Sequence, residues 1–265
     1  MKLSIISYNL NCLNSSYLEE RIRHISKLII KRQVDLIALQ EISKPICKLF
    51  NRIFSEYYTI VQDFMNTNDS VGNVIFCKNG AINIMDAYKF DLKSNAHVSR
   101  NAIYCKFNVM DIEHDRQHKM SIINCQLEKT WNCHPTRYSQ IESILELDEL
   151  KNDTILTGDF SILSNDEKAN LLLHRSGFKD AWVEMGMPSE LNYTYDYKKN
   201  NTPNMEKYRS RQDRIMYNLR FGNETKVRVK EFTFIGYNPL KINNDVEDLY
   251  IYPSSHFGIC TVLNF

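Results

Sequence analysis

The 265-residue chain has no apolar run that approaches a membrane span. Its opening, MKLSIISYNL, turns polar too early to read as a signal peptide. Glycine and proline are scarce, at eight and six. No Pro/Gly hinge, low-complexity linker or internal repeat divides the sequence, so one domain over residues 1–265 is expected. The seven cysteines (Cys12, Cys47, Cys77, Cys105, Cys125, Cys133 and Cys260) form no CxxC pair and follow no regular spacing. They read as reduced thiols, several inside apolar strands, which points to the cytoplasm or nucleus. Charge of one sign is also missing. The formal net charge is +1, so no global basic field marks a nucleic-acid partner, and any such binding must come from a local patch. The chain has no Gly-rich phosphate loop, no HExxH and no GxSxG.

Hydrophobic residues at 43% are enough for a substantial core. LSIISYNL and VDLIALQEI have the length and continuous apolarity of buried strands. Between them, SSYLEERIRHISKLIIKRQ switches to helical spacing through Leu18, Ile22, Ile25 and Ile29, with Ser16 and Glu19 predicting a capping box. KPICKLFNRIF predicts a second helix with Pro45 in its first turn. Strand-like runs follow at YYTIV, NVIFCK, AINIM, NAIYCKFNV and KMSIINCQL. A helix carrying Ile141, Ile144 and Leu145 precedes the strand TILTGDF, and QDRIMYN, VRVKEFTFIGY and FGICTVLNF complete the chain. Strands outnumber helices and come partly in adjacent pairs, which predicts sheet packed on sheet with helices outside. The polar stretch YTYDYKKNNTPNMEKYRSR reads as a surface loop.

Polar groups recur where the apolar strands end: Asn9, Glu41, Asp159, Asp213 and His256. Each alone is ordinarily a cap, a turn residue or a hydrogen-bonded core residue. Strands lying side by side would gather all five in one cleft, and that set suits a hard divalent cation with phosphate. Glu41 would hold Mg²⁺, which polarises phosphate for attack. Asp159 would orient or deprotonate a water, and Asn9 would donate to a phosphate oxygen. His256 would act as a cation kept protonated by Asp213.

The motifs YN at 8–9, LQE at 39–41, GD at 158–159, DRI at 213–215 and SHFGI at 255–259 resemble, in order and spacing, those of the endonuclease/exonuclease/phosphatase superfamily. Within it the chain is similar to the tyrosyl-DNA phosphodiesterase 2 family, through SRNAIYCKFNV and a DAW segment leading by Gly-x-Pro to YTYD. The resemblance implies a four-layer α/β sandwich of two packed mixed β-sheets flanked by helices. It also implies dependence on Mg²⁺ or Mn²⁺ and hydrolysis of a phosphodiester at nucleic-acid ends, joining a protein tyrosine to a 5′ DNA phosphate or to RNA. Asn9, Glu41, Asp159, Asp213 and His256 fall on the family's functional positions, with Glu41 as metal ligand. The expected protein acts as a monomer on DNA or RNA ends, away from membranes.

Three positions depart from the family pattern. Gln126 stands in QLE where the family has HLE, Ser161 in GDFS where it has GDxN, and Ser255 in SSH where it has SDH. One lost donor in a transition-state clamp costs about 3–4 kcal/mol. Gln126 and Ser161 keep hydrogen-bonding capacity, whereas Ser255 removes a negative charge and should weaken cation binding. The retained set favours a working but altered enzyme. Arg100 with Asn101, and the cluster Lys207, Arg209 and Arg211, are candidate phosphate contacts. Trp131, Tyr195 and Tyr197 are candidate stacking residues. The alternatives are a phosphatase or nuclease with another substrate, or a silent module that binds nucleic acid or protein.

Overall fold

A computed structural model describes residues 1–62, 70–93, 100–111, 116–130, 132–151, 153–163, 167–200, 202, 205–219, 227–242 and 249–265. In chain order the first elements are β1 (Lys2–Asn9), α1 (Leu18–Arg32), β2 (Leu36–Ser43), α2 (Lys44–Phe54), β3 (Tyr58–Gln62), β4 (Val71–Lys78), β5 (Ile82–Leu92) and β6 (Arg100–Asp111). Next come β7 (Arg116–Gln126), α3 (His134–Leu145), β8 (Thr154–Asp159), α4 (Glu167–Arg175), β9 (Lys179–Asp180), α5 (Ala181–Glu184) and β10 (Tyr195–Asp196). The remainder is β11 (Arg209–Ser210), β12 (Asp213–Asn218), β13 (Arg228–Ile235), β14 (Leu240–Ile242), β15 (Leu249–Ile251) and β16 (Gly258–Asn264).

Two six-stranded mixed sheets carry the fold, ordered β13-β16-β1-β2-β4-β3 and β5-β6-β7-β8-β12-β9. Each has one parallel pair at its centre, β1 with β2 and β7 with β8, linked over the outer face by α1 and α3 respectively. Antiparallel neighbours flank both pairs.

The continuous apolar runs have a direct cause: successive side chains on a strand point to opposite faces, and here both faces are covered. Ile5, Leu36, Ile75, Ile122 and Ile155 pack between the sheets. Their neighbours Ile6, Ile37 and Phe76 pack instead under Ile22, Ile25 and Ile29 of α1 and Phe50 and Phe54 of α2. Ile123 and Leu156 likewise pack under Ile141 and Ile144 of α3 and Ala169 and Leu173 of α4. The result is the four-layer α/β sandwich expected from the sequence.

A polar clamp crosses the inter-sheet layer. Gln40 Nε2 donates to Asn124 Oδ1 at 2.7 Å, and Asn124 Nδ2 donates to the carbonyls of Leu39 and Val74 at 3.0 and 2.9 Å. Both amides are fully buried, so leaving one of them unpaired would cost about 1–3 kcal/mol. The clamp fixes the register of β2 against β7 directly below Glu41 and Gln126.

Two expectations are corrected. No Ser16–Glu19 capping box forms: α1 starts after Tyr17 without a side-chain cap. The buried guanidinium of Arg21 instead draws in the carbonyls of Leu10, Asn11, Asn14, Ser16 and Pro253, and Glu19 pairs with Arg23. The 193–211 stretch is not merely a surface loop. It forms the β10–β11 ribbon, and Thr194, Tyr195, Asp196, Asn200, Thr202 and Ser210 are buried in it.

Candidate active site

The site lies where the C-terminal ends of both parallel pairs meet the antiparallel strands beside them. Asn9 ends β1, Glu41 lies in β2, Gln126 ends β7, Asp159 ends β8, Asp213 opens β12 and His256 precedes β16. In register, Asp159 stands opposite Asp213 on one side and Gln126 on the other.

Local backbone aims two of the carboxylates. The pairing of β2 with β4 shifts register between Leu39 and Ile42, and Glu41 in that bulge takes φ 49°. A bulge adds one residue and re-aims a side chain, and a non-glycine residue at positive φ is strained. Behind Asp159, Gly158 has φ +136° and a Cβ there would lie 1.8 Å from the Cys125 carbonyl oxygen, so only glycine fits. Asp159 Oδ1 accepts from Ser161 N and Oγ at 2.8 and 3.0 Å, holding Ser161 at φ 48°.

Two hydrogen bonds join the sheets at this rim. Asn9 Nδ2 donates to Asp159 Oδ2 at 2.9 Å, and Gln126 Nε2 donates to Glu41 Oε1 at 2.6 Å. The Asn9 side chain is therefore committed to Asp159, with its Oδ1 accepting from Asn11 N. His256 Nδ1 donates to Asp213 Oδ2 at 2.8 Å, while its Nε2 lies 4.0 Å from Asp159 Oδ2. The ring's backbone N–H is held by Ser254 Oγ, which itself donates to the Asn9 carbonyl.

Burial alone would push the His256 imidazole down. The charges of Asp213 and Asp159 outweigh it and raise the pKa from 6.5 to about 9, so the ring is a cation at neutral pH. Burial raises the Asp213 carboxyl, and the adjoining imidazolium opposes that rise.

A cavity of about 530 Å³ is lined by Glu41, Lys129, Asp159, Tyr195, Ser255 and His256 among others. A second, of about 270 Å³, adjoins it through Glu41 and Lys129 and is lined by Asn73, Arg100, Asn101 and Gln126. The structure thus brings Glu41, Asp159 and His256 to one hollow, with Asn9 and Asp213 buried behind it.

The other candidate residues fall as follows. Arg100 donates to Gln126 Oε1 at 3.3 Å and approaches Glu128 at 3.7 Å. Asn101 accepts from Asn73. Tyr195 meets the His256 ring edge-on at 5.2 Å and stacks on Tyr208 at 4.8 Å, so its faces are largely taken. Tyr197 does not line the cavity, and Trp131 lies outside the described residues. Arg209 grips Asp196 with two hydrogen bonds and covers Tyr193. Arg211 pairs with Asp180 and covers Trp182. Those two arginines have structural partners, whereas Lys207, the remaining member of the proposed cluster, is exposed and pairs with no acidic group among the described residues.

Sequence reasoning missed Lys129, whose Nζ lies 3.2 Å from Glu41 Oε1. It also missed Arg21, which ties the Leu10–Asn11 segment to Pro253 near His256. The only available signal for Lys129 was its place just beyond the end of β7.

Asp159, Asp213 and His256 offer ligand atoms within 4.8 Å of one another. Asp213 and His256 are engaged as a hydrogen-bonded carboxylate–imidazolium pair, with Asp159 4.0 Å from Nε2, and a protonated ring is no ligand. Glu41 is the better fit: its Oε2 has no hydrogen-bond partner among the described residues, and the side chain lines the cavity. One such carboxylate suits Mg²⁺, which keeps waters and takes substrate phosphate as ligands.

No protein-family model matches the chain. Tyrosyl-DNA phosphodiesterase 2 of Mus musculus is 23% identical over 266 residues, covering 99% of this chain and 66% of that protein. The chain thus spans just under two thirds of that relative's length. The structure of D. rerio tyrosyl-DNA phosphodiesterase 2 complexed with single-strand DNA product matches with a TM-score of 0.81 at 20% identity, over 100% of this chain and 99% of that one. An endonuclease/exonuclease/phosphatase family protein of Bacteroides thetaiotaomicron matches with a TM-score of 0.78 at 19% identity, over 99% and 97%. The chain therefore has the endonuclease/exonuclease/phosphatase fold, and over nearly its whole length it resembles tyrosyl-DNA phosphodiesterase 2.

Proposed function

We propose that this protein is a metal-dependent phosphodiesterase acting at nucleic-acid ends, on 5′-tyrosyl linkages to DNA or RNA. The observation that carries the reading is the single cavity shared by Glu41, Asp159 and His256, with Asn9 bracing Asp159 and Asp213 bracing His256. Glu41 would hold Mg²⁺ or Mn²⁺, which when bound supplies Lewis-acid polarisation of a phosphoryl oxygen.

The protein's own groups provide the rest. Asp159, with Oδ1 fixed by Ser161 and Oδ2 by Asn9, presents a carboxylate that orients the attacking water and accepts its proton. The water oxygen bonds to phosphorus as the bond from phosphorus to the tyrosyl oxygen breaks. His256 Nε2–H faces the cavity as a fixed cation and stabilises the charge growing on the phosphoryl oxygens. Arg100, lining the adjoining hollow, would contact a neighbouring phosphate. The altered positions keep part of their chemistry: Gln126 still donates, though to Glu41, and Ser161 still secures Asp159. Ser255 leaves the metal region one carboxylate short.

The protein is further proposed to be one domain acting as a monomer in the cytoplasm or nucleus. Among the described residues no helix is long and apolar enough to cross a membrane.

The test is incubation of purified protein with a 5′-phosphotyrosyl oligonucleotide and Mg²⁺ or Mn²⁺. Turnover that disappears in Glu41→Ala and His256→Ala is expected. Absence of turnover, with salt-sensitive DNA binding that survives both substitutions, would establish a silent binding module instead.

A further inference from the structure

The turn after β7 is held firmly on both sides of Lys129. Glu128 N donates to Gln140 Oε1 at 2.8 Å, and the Glu128 carboxylate accepts from Thr130 N and Oγ1 at 3.0 and 2.6 Å. The fully buried Arg137 guanidinium donates to the carbonyls of Glu128 and Thr130, both at 2.9 Å. The backbone of Lys129 is thereby fixed between two anchored neighbours, and its side chain is what remains free to move.

That side chain reaches Glu41 Oε1 at 3.2 Å, and the two partners differ sharply in exposure: 53% for Lys129 and 5% for Glu41. Among the described residues Lys129 pairs with no other acidic group. The carboxylate, set in a bulge and braced by Gln126, cannot follow the lysine outward. The ammonium can leave at small cost, because it swings into water. An ammonium and a divalent ion make the same demand on Glu41, and Ser255 offers the ion no second carboxylate nearby.

We propose that Lys129 is a tethered counter-cation for Glu41: it neutralises the carboxylate in the metal-free protein, must be displaced when a divalent ion binds, and so sets the metal affinity of the site. The inference rests on the reading of Glu41 as the metal ligand. Lys129 is a positioning residue here, acting through Glu41.

The experiment is calorimetric titration of Mg²⁺ and Mn²⁺ into the chelator-stripped full chain. The variants are Lys129→Gln, Lys129→Arg and Glu41→Gln, with exposed Lys207→Gln controlling for general charge. Lys129→Gln is expected to tighten binding about fivefold, the upper range for a half-exposed ion pair. Lys129→Arg should stay within about twofold of the unaltered chain, because the charge remains. Lys207→Gln should change nothing and Glu41→Gln should abolish binding. Binding that requires Glu41 yet is unchanged or weaker in Lys129→Gln overturns the inference and leaves the metal reading intact. No Glu41-dependent binding in any variant overturns both.

Discussion

Replacing Asp213 with asparagine removes the charge that keeps His256 protonated while preserving size and a hydrogen-bonding oxygen. The rise of the imidazole from 6.5 to about 9 corresponds to roughly 3 kcal/mol of preference for the cation, at about 1.4 kcal/mol per tenfold. His256 and Asp213 are both buried, at 6% and 0% exposure, so solvent does little to screen the pair. Of the counter-charges, Asp213 is the one in direct contact at 2.8 Å, whereas Asp159 stands at 4.0 Å. Without Asp213, burial dominates and the ring should lose its proton below pH 7. The cation proposed to act at the cavity then disappears, which should lower kcat/KM at pH 7.5 by about 10²–10³.

Two measurements check this. The pH profile of kcat/KM on a 5′-phosphotyrosyl oligonucleotide should fall above about pH 9 in the unaltered protein, and the same fall should move below neutrality in Asp213→Asn. NMR titration of the His256 ring protons should move in parallel. The stability consequence has a definite sign: the folded-state pKa lies above the unfolded one, so the contribution of His256 is fully present below about pH 6.5 and fades as pH rises through about 9. A His256 that titrates near its ordinary value, or an alkaline limb unmoved by Asp213→Asn, would refute the reasoning.

Gly158→Ala should destabilise the fold by roughly 3–5 kcal/mol, because the new Cβ collides with backbone rather than with a movable side chain; the denaturation midpoint reads this directly. Ser255→Asp should strengthen divalent metal binding by calorimetry, about tenfold, by adding a further carboxylate to the cavity that Glu41 lines. Unchanged affinity in that variant would show that the serine is not what weakens the site.

Much of the architecture could be read from local pattern, because the strands buried on both faces advertise themselves as unbroken apolar runs. LSIISYN and VDLIALQE became β1 and β2, and KPICKLFNRIF became α2. Polar residues at strand ends were legible as a group for the same reason: each interrupts a run whose burial is otherwise complete. What escaped depends on distant partners. The start of α1 carries a capping sequence, yet Arg21 organises it by binding carbonyls as far away as Pro253. The 193–211 stretch looks soluble by composition, but Asp196, Asn200 and Thr202 satisfy one another and their surroundings internally, which allows burial. The helix α4 was missed altogether, its nine residues too few for a clear period. Lys129 was invisible because a lysine after a strand is commonplace until the Arg137 anchor and the Glu41 carboxylate are in view.

The three altered positions make more sense together than singly. Each carboxylate at the rim has its own compensating donors: Gln126 and Lys129 for Glu41, Asn9 and Ser161 for Asp159, His256 for Asp213. A histidine replaced by Gln126 removes a group able to carry positive charge, and an aspartate replaced by Ser255 removes a negative one. The two losses offset in net charge, and both replacements remain hydrogen-bonding groups. Lys129 adds a cation beside Glu41 in the metal-free protein. A site that had drifted without constraint would leave buried carboxylates unpaired, at several kcal/mol each. Here each of the three accepts from at least one donor, which favours a maintained site over a drifted one.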